Sequence, residues 1–332
     1  MISSISAVTF EAFGNPRDVV QVSRLDLRDI RPHEVLVKTQ MAPINPADLN
    51  VLEGTYAVLP ETFPAIAGME SIGVIAAKGV SVPNTFKVGQ QVIVPQLTGR
   101  WSEAYIAPHD SLIGIPPGIP TAQAAMISVN PPTAWRLLHD FAKLKPGDWL
   151  IQNAANSGVG RAVIQIAKSK QWKTINIVRR PELVEELKAL GADIVVVHGP
   201  HMRQEILDQI GSAKVTLGLN ATGGKILSDL VKHLAPGSTV VTYGAMAKQP
   251  FMLSNAHLIF RDIRACGFWI TGWYRNAKGT DIQEMLLDLT GLMKSGKIHT
   301  PVEHVYSMQD IQAAIDHASR ESRSGKVLIG IG

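Results

Sequence analysis

A short apolar run, a tight turn with two glycines and a helical pattern follow one another over residues 149–168. Gly158 and Gly160 stand in the turn, where glycine lets the backbone approach a pyrophosphate and lets a helix pack closely on a strand. The N-terminus of the following helix offers free N–H groups to negative charge. The first glycine of the usual G-x-G-x-x-G pattern is absent, since Ala155 and Asn156 occupy that region. The stretch therefore predicts a dinucleotide-binding fold, with a plain strand–turn–helix as the alternative.

Composition limits the other functions open to this chain of 332 residues. Its length is sufficient for two domains, and its net charge of +4 suits an anionic ligand but is too small to indicate nucleic-acid binding. Its single cysteine, Cys266, excludes an internal disulfide and a cysteine-rich metal site, and fits a reducing compartment. The sequence has no apolar run of about 18 residues and no secretory leader pattern over residues 1–6. We therefore expect no nucleic acid, no membrane and a cytoplasmic location.

Two kinds of secondary-structure pattern divide the chain. Residues 1–118 contain short β-type runs separated by proline and glycine, which is typical of a small barrel with loops. Residues 121–270 alternate strand and helix patterns, which predicts an α/β doubly wound parallel sheet. A helical region is expected to be interrupted at Pro131-Pro132. The strand and helix patterns after residue 300 are expected to return to the first domain. The strands of the parallel sheet are predicted at 149–153, 174–178, 194–197, 215–219 and 239–243.

The second strand of the predicted sheet ends at Val178 and is followed by Arg179 and Arg180. In a dinucleotide-binding fold the end of this strand meets the adenosine ribose, where an acidic residue favours NAD and an arginine favours the 2′-phosphate of NADP. Two arginines and no acid stand here, and a guanidinium suits a phosphate well. The sequence therefore favours NADPH as cofactor. The alternative is that both arginines are solvated charges.

The arrangement resembles the medium-chain dehydrogenase/reductase superfamily over essentially the whole chain. Zinc-dependent members have a Gly-His-Glu motif, whereas the matching segment here is Gly68-Met69-Glu70, with methionine in place of histidine. The cysteines of a structural zinc site are also missing. The resemblance therefore implies a zinc-free member without a metal site. It further implies a GroES-like β-barrel catalytic domain over residues 1–120 and 272–332, and a Rossmann NADPH-binding domain over residues 121–271.

Three blocks are similar to the mitochondrial-type trans-2-enoyl thioester reductases of that superfamily. They are residues 44–50 with Gly54-Thr55-Tyr56, residues 129–134 with 152–160, and residues 242–250 with Gly267-Phe268-Trp269-Ile270. Quinone reductases typically have Ala-Ala-x-Gly-Gly-Val-Gly where this chain has Asn-Ala-Ala-Asn-Ser-Gly-Val-Gly. The loop and the Gly-Phe-Trp block therefore favour the enoyl thioester reductases.

The resemblance implies roles for individual residues. Tyr56 matches the catalytic tyrosine of the family, Asn130 a contact near the nicotinamide, and Lys326 a C-terminal contact to the cofactor. The family often has Arg-x-Arg where this chain has Arg179-Arg180-Pro181, which leaves the contact of Arg180 open. The remaining cofactor matches are Asn156, Ser157, Gly158 and Val159 for the pyrophosphate, Arg179 and Arg180 for the 2′-phosphate, and Tyr243, Gly244, Ala245, Met246, Phe268, Trp269 and Ile270 for two further loops.

The implied reaction is the NADPH-dependent reduction of the 2,3-double bond of trans-2-enoyl thioesters, with hydride added to Cβ and a proton to Cα. A tyrosine hydroxyl can hold the enolate or supply the proton without a metal. For a loop tyrosine such as Tyr56, packing at the surface is the alternative. The alternatives for the whole chain are an NADPH:quinone oxidoreductase of the same superfamily and a cofactor-binding protein without catalysis.

The resemblance also implies a homodimer joined through the edge strands of the Rossmann sheets, with a small-molecule substrate and a place in fatty acid metabolism. The apolar region 260–273 would suit such an interface. By composition alone, Phe268 and Trp269 could equally be core residues. Asp48 and Glu70 are expected to make structural hydrogen bonds rather than to act in catalysis.

Overall fold

The computed structural model of the chain describes residues 3–95 and 98–331, which belong to two compact units. The first unit consists of the residues up to 129 together with 274–294 and those from 299 onwards. The second consists of residues 130–273 and 295–298. Within the described residues, no helix combines the length and the apolar character needed to cross a bilayer.

Strands predominate in the first third of the chain, and strands and helices alternate afterwards. The elements are β1 (Ser4–Phe10), α1 (Pro16–Val19), β2 (Val20–Asp26), β3 (Glu34–Pro43), α2 (Pro46–Glu53), β4 (Ala65–Ile66), β5 (Ile72–Lys78), β6 (Gln91–Ile93), β7 (Ala104–Pro108), β8 (Ile113–Gly114), α3 (Thr121–Ala124), α4 (Asn130–Asp140), β9 (Trp149–Gln152), α5 (Gly158–Ser169), β10 (Lys173–Val178), α6 (Leu183–Leu190), β11 (Ile194–Val197), α7 (Met202–Ile210), β12 (Val215–Asn220), α8 (Gly224–Val231), β13 (Leu234–Thr242), α9 (Asn255–Arg261), β14 (Arg264–Gly267), α10 (Ile270–Asn276), α11 (Gly279–Lys294), β15 (Val302–Ser307), α12 (Ile311–Ser319) and β16 (Lys326–Gly330).

The second unit contains a sheet of parallel strands in the order β11-β10-β9-β12-β13-β14. The chain winds outwards from β9 in one direction to β11, and then in the other direction from β12 to β14. This is the strand order of a doubly wound dinucleotide-binding fold, in which ligands bind beyond the carboxyl ends of the strands where the order reverses. The predicted doubly wound parallel sheet is confirmed.

Apolar residues of these strands belong to two clusters, and the second one joins Val178 and Val195 to Leu187 of α6. Ile151, Ile175 and Val240 are fully or almost fully buried within one apolar cluster, together with Leu227 and Leu230 of α8. Helices connecting parallel strands pack on the faces of the sheet, which favours such continuous apolar runs over an alternating pattern. Burying each of these side chains stabilises the fold by about 1.5–3 kcal/mol.

Helix α4 contradicts one sequence expectation. The prolines Pro131 and Pro132 were predicted to interrupt the helical region, but they are the second and third residues of a helix that begins at Asn130. A proline in the first turn breaks no intrahelical hydrogen bond, since N–H groups there have no intrahelical acceptor, and its fixed φ suits the helix. The helical region is interrupted at residues 125–129 instead, so the predicted position of the interruption is wrong.

The larger sheet of the first unit is built around β3, which pairs with β5, β7 and β16. β16 runs antiparallel to β3, with Leu328 opposite Pro43 and Gly330 opposite Met41, and β15 adds a parallel strand outside it. A second sheet has the order β2-β1-β4. Phe10, Leu52 and Trp101 are fully buried in the apolar cluster that includes helix α12. The tail of the chain thus completes a sheet begun near its start.

Candidate functional site

The turn between β9 and α5 is organised by a helix cap. Ser157 precedes the helix in an extended conformation, and its hydroxyl accepts a hydrogen bond from the N–H of Gly160 at 3.0 Å. The other N–H groups of a first helical turn have no intrahelical acceptors and point away from the helix. With the partial positive charge of the helix N-terminus, they can bind an anion such as a pyrophosphate.

Close contacts explain both glycines of this turn. A Cβ on Gly160 would lie 2.6 Å from the carbonyl oxygens of Ala154 and Ala155, which is impossible without moving the backbone. A Cβ on Gly158 would lie 3.0 Å from the side chain of Asn130. Ala154 itself has φ of 49°, in the left-handed region that favours glycine. The turn thus contains a strained alanine directly before Ala155 and Asn156, the region where the usual first glycine is absent.

Two buried asparagines join the carboxyl ends of three strands. The side chain of Asn153, after β9, donates to Oδ1 of Asn220 at 2.7 Å, and its own Oδ1 accepts the N–H of Ala221 at 2.8 Å. Asn220 also accepts from the N–H of Gly223 at 3.0 Å and donates to Oγ1 of Thr242 at 3.1 Å. These neutral amides fix the points at which the loops after β9, β12 and β13 begin.

The loop after β13 contains the predicted residues 243–246. The N–H of Tyr243 donates to the carbonyl of Asn220 at 3.0 Å, and that of Met246 to the carbonyl of Ala221 at 3.0 Å. A Cβ on Gly244 would lie 2.9 Å from the Ala221 carbonyl oxygen. The Tyr243 hydroxyl is buried, and burial raises the pKa of Tyr243 well above its usual value, against the opposing effect of the Ser157 hydroxyl. Hydrogen bonds to Asn220 and Ala221 therefore tie this loop to the carboxyl end of β12.

The two arginines lie directly after β10, as the sequence predicted. Arg179 is exposed and Arg180 half-buried. The guanidinium of Arg180 lies 3.4 Å from the carboxylate of Glu182, just before α6. Both guanidinium groups follow the carboxyl end of a strand next to β9, where the ribose of a dinucleotide lies in this fold.

The predicted third loop follows β14. The N–H of Phe268 donates to the carbonyl of Thr242 at 2.9 Å, and its ring meets that of Phe141 edge-on, with 5.8 Å between centroids. Ile270 is nearly buried at the start of α10. The structure thus brings together, beyond the carboxyl ends of β9, β10, β13 and β14, the predicted residues Asn156, Ser157, Gly158, Val159, Arg179, Arg180, Tyr243, Gly244, Ala245, Met246, Phe268, Trp269 and Ile270, with Asn130 against the turn.

Several observations test whether a dinucleotide fits this arrangement. The turn is so tight that there is no room for a Cβ on Gly160. The helix that begins there has 12 residues and a capped N-terminus. A buried tyrosine hydroxyl follows β13, and two arginines follow β10 of the same sheet. These features provide close backbone approach, N–H donors and cations, which together suit a dinucleotide with an additional phosphate.

Tyr56 lies in the first unit, in the segment after α2. The helix ends at Gly54, whose φ of 75° reverses the chain, and a Cβ at Gly54 would lie 2.9 Å from the ring of Phe13. Phe13 meets Phe63 edge-on, with 5.2 Å between ring centroids. Tyr56 is half-buried within this segment. An aromatic support under Gly54 therefore sets the direction in which the tyrosine segment leaves the helix.

Lys326 is buried in the first unit within an ionic cluster. Its ammonium group donates to Oδ1 of Asn45 and, at 3.4 Å, to the carbonyl of Ile44. The Asn45 side chain donates in turn to Glu70 at 2.9 Å, and the Asn45 N–H donates to Asp48 at 2.7 Å. Burial lowers the pKa of Lys326 to about 8, although the carboxylates of Glu70 and Asp48 oppose this. The contact of Lys326 with a cofactor stays a prediction.

Two carboxylates complete this cluster. Oε1 of Glu70 accepts the N–H of Ser128, its hydroxyl and the N–H of Val129, each at 2.9 Å. Asp48 accepts the N–H of Met69 at 2.9 Å. Burial raises the pKa of Asp48 to about 7 and also raises that of Glu70. Both acids therefore make the structural hydrogen bonds that the sequence interpretation favoured.

Met69 lies beside this cluster, where zinc-dependent members of the superfamily have histidine. Within residues 3–95 and 98–331, no group of three or more His, Cys, Asp or Glu side chains is arranged to hold a metal ion. The polar groups near Met69 serve the hydrogen bonds just described.

Family models match both parts of the chain. The alcohol dehydrogenase GroES-like domain matches residues 31–129, and the zinc-binding dehydrogenase domain matches residues 158–290. The mitochondrial enoyl-[acyl-carrier-protein] reductase of Mus musculus is 40% identical over 333 residues, covering 98% of this chain and 89% of the relative. The chain belongs to the enoyl thioester reductase family. The expected family and the expected GroES-like and Rossmann fold class are therefore confirmed.

Solved structures of other reductases are similar in fold to this enoyl thioester reductase. The complex of Etr1p with NADP and crotonyl-CoA is 27% identical, with a TM-score of 0.89, and the match covers 98% of this chain and 99% of that one. A quinone oxidoreductase of Pseudomonas syringae pv. Tomato DC3000 is 24% identical, with a TM-score of 0.87 and the same coverage. The second likeness shows the fold alone.

The expected cytoplasmic location is wrong. The mouse relative is named as a mitochondrial protein, and this finding contradicts the expectation. A low cysteine content fits any reducing compartment, so it could not distinguish one such compartment from another. No other feature of the composition indicates a location.

Sequence reasoning missed several residues that shape this site in the enoyl thioester reductase fold. Asn153 ends a predicted strand and Asn220 directly follows one, and an amide at the carboxyl end of a buried strand is a usable signal. Their pairing across 67 positions has no local signature. Arg161 falls within the predicted helical pattern, which does not indicate that its side chain is almost completely buried.

Proposed function

We propose that the protein is an NADPH-dependent reductase of the 2,3-double bond of trans-2-enoyl thioesters, attached to coenzyme A or to acyl carrier protein. The observation that supports this most directly is the 40% identity to a mitochondrial enoyl-[acyl-carrier-protein] reductase over 98% of the chain. Its place is fatty acid metabolism. A quinone reductase of the same superfamily is the second candidate, and the fold it shares with a quinone oxidoreductase favours it only at the level of architecture.

In this proposal, the loops of the domain of residues 121–271 bind NADPH. Backbone N–H groups over Asn156–Val159 hold the pyrophosphate, and the cations of Arg179 and Arg180 hold the 2′-phosphate. Residues 243–246 and 268–270 line the rest of the cofactor, with Asn130 near the nicotinamide. When bound, NADPH supplies the hydride that reduces Cβ.

The catalytic domain is that of residues 1–120 and 272–332, and its reactive group is the hydroxyl of Tyr56. As Cβ is reduced, negative charge develops on the thioester oxygen, and a phenol hydroxyl can donate a hydrogen bond to that oxygen or a proton to Cα. The rigid turn at Gly54, held over Phe13, fixes the segment that presents this hydroxyl. Lys326 adds a contact from the end of the chain.

A substrate comparison tests the proposal. NADPH oxidation is followed at one enzyme concentration with crotonyl-CoA and with 1,4-benzoquinone. We expect turnover of crotonyl-CoA with butyryl-CoA as product. Turnover of the quinone alone would instead assign the second candidate, and turnover of neither would leave only a cofactor-binding protein.

The homodimer is part of the same proposal. β14 is the edge of the parallel sheet, and the helix before it exposes 70% of Ile259 and 82% of Phe260. An edge strand next to large exposed apolar side chains is suited to pairing with a second copy. Light scattering should give twice the mass of one chain, and Phe260→Asp should reduce it to the mass of a monomer. A monomeric wild-type protein would contradict the homodimer.

A further inference from the structure

Arg161 is a buried cation in the first turns of α5, directly behind the pyrophosphate turn. Only 5% of the residue is exposed. Its backbone N–H donates to the carbonyl of Ser157 at 2.9 Å, as expected in a helix, but its side chain turns back towards the start of the turn. A guanidinium is rarely buried without fixed partners, because removing its charge from water is unfavourable.

The guanidinium connects two separate segments. Its Nε donates to the carbonyl of Asn156 at 3.1 Å, and its Nη2 donates to Oε1 of Glu186 at 2.6 Å. Asn156 lies in the pyrophosphate turn, and Glu186 lies in α6. Because the guanidinium is planar and rigid, one donor group cannot move without the other.

Helix α6 begins three residues after Arg180, the second of the arginines assigned to the 2′-phosphate. The guanidinium of Arg180 lies 3.4 Å from the carboxylate of Glu182, the residue directly before this helix. The position of α6 therefore sets the position of the arginine segment. Arg161 fixes α6 against the turn that binds the pyrophosphate.

We propose that Arg161 is a positioning residue for cofactor selection. Through Asn156 on one side and Glu186 on the other, it sets the spacing between the pyrophosphate turn and the Arg179–Arg180 segment. NADPH engages both segments, whereas NADH lacks the 2′-phosphate and engages only the first. Loss of the connection therefore weakens NADPH more than NADH. This inference rests on the proposed assignment of Arg179 and Arg180 to the 2′-phosphate.

A direct attraction between the Arg161 charge and the cofactor phosphates would have the opposite signature. Removing the negative charge of Glu186 would then raise the local positive potential and tighten NADPH binding. In the positioning model the same change releases α6 and weakens NADPH binding. The sign of the effect at Glu186 therefore separates the two.

The experiment measures dissociation constants of NADPH and NADH by nicotinamide fluorescence for the wild type and for Glu186→Ala. The control is Glu185→Ala, which removes the same charge from the neighbouring exposed position, where the carboxylate pairs with Lys188 at 3.1 Å. Both acids lie in the first turn of α6, so the two changes remove the same favourable interaction with the helix N-terminus, and alanine is otherwise favourable within a helix. We expect Glu186→Ala to weaken NADPH by roughly fivefold and NADH by less than about twofold, and Glu185→Ala to change neither.

Arg161→Leu extends the test, and we expect it to weaken NADPH at least as much as Glu186→Ala does, raising KM for NADPH and leaving kcat unchanged. The variant that combines Arg161→Leu with Glu186→Ala should bind NADPH no more weakly than Arg161→Leu alone. Tighter NADPH binding in Glu186→Ala, an unchanged affinity, or equal weakening of both cofactors would overturn the proposal. If Arg161→Leu does not fold, the pair of glutamate variants decides alone.

The failure of the underlying assignment has a different signature. If Arg179 and Arg180 do not bind the 2′-phosphate, then Arg179→Ala with Arg180→Ala leaves the preference for NADPH unchanged. If they do bind it, that double variant loses the preference whatever the behaviour of Glu186→Ala.

Discussion

Buried polar groups hold the important loops in both units, but their chemistry differs. In the second unit the neutral side chains of Asn153 and Asn220 join three strand ends. In the first unit the charged groups of Asp48, Glu70 and Lys326 lie together, completely or almost completely buried. Neutral amides satisfy one another at any pH, whereas buried charges depend on their partners and on protonation. We therefore expect the second unit's network to be insensitive to pH and the first unit's network to be sensitive to it.

Removing the cation should have the largest effect. Lys326→Met leaves two carboxylates buried without their positive partner, and we expect a loss of about 3–5 kcal/mol in the free energy of unfolding. Denaturation in urea measures this loss. The control is Lys173→Met, which removes an exposed partner of Asp193 and should change the free energy of unfolding by less than about 1 kcal/mol. Equal effects of the two changes would remove the distinction between buried and surface charges.

The pH dependence of stability should be the next largest effect, since a carboxyl group can relieve its burial by taking up a proton. Asp48 has a pKa of about 7 in the folded protein against 3.8 as its ordinary value. A raised pKa means that the contribution of the protonated group is complete below pH 3.8 and is lost as pH rises towards about 7. Unfolding free energies measured between pH 4 and pH 8 should therefore fall less steeply in Asp48→Asn than in the wild type. Parallel curves would contradict this.

The neutral network is tested by Asn220→Leu, which retains the size of the side chain. Two backbone N–H groups and the Asn153 amide then lose an acceptor, and we expect a loss of about 2–3 kcal/mol in stability that is the same at every pH. NADPH affinity should fall as well, because three loops start at this point. Ser238→Ala breaks a buried hydrogen bond at the opposite end of the same strands and should leave the affinity unchanged. A change of affinity in both variants would make the effect a general loss of stability.

Tyr56→Phe separates chemistry from binding. We expect kcat with crotonyl-CoA to fall more than about tenfold, which corresponds to about 1.4 kcal/mol, while NADPH affinity is retained. Tyr306→Phe, which removes another hydroxyl of the first unit, should leave kcat unchanged. Normal turnover by Tyr56→Phe would remove the tyrosine from the mechanism.

The smallest expected effect is a gain. Ala154 has φ of 49°, and Ala154→Gly should stabilise the second unit by about 0.5–1 kcal/mol because glycine adopts this conformation freely. Ala162→Gly, in the interior of α5, should instead be destabilising by about 1 kcal/mol. Calorimetry of the two variants measures both changes. A loss of stability at position 154 would show that the alanine methyl group packs better than its backbone conformation suggests.

The features that the sequence predicted well are local in the chain. The order of strand, turn and helix around Gly158 and Gly160 is set by neighbouring residues, and so is the position of Arg179 and Arg180 after their strand. Alternation of such units then restricts the sheet to a few topologies. Where local rules have two outcomes, prediction was less reliable, as for Pro131 and Pro132, which can interrupt a helix or begin one.

The networks compared above could not be predicted, because their members are distant in the chain. Asn153 meets Asn220 across 67 positions, and Lys326 meets Asn45 across 281. Neither a period nor a spacing marks such partners. A buried arginine is equally hidden in a sequence, since Arg161 looks like any surface residue of a helix until Glu186 is placed beside it.

The pairing of β16 with β3 has a consequence for the order in which the protein is made. A ribosome synthesises the main stretch of the second unit, residues 130–273, before it reaches β15 and β16. That unit can therefore fold while the sheet around β3 still has an open edge. The edge remains available to other nascent strands until Leu328 reaches its position opposite Pro43. Premature termination just before residue 326 would leave the nucleotide-binding part intact and the other part prone to aggregate.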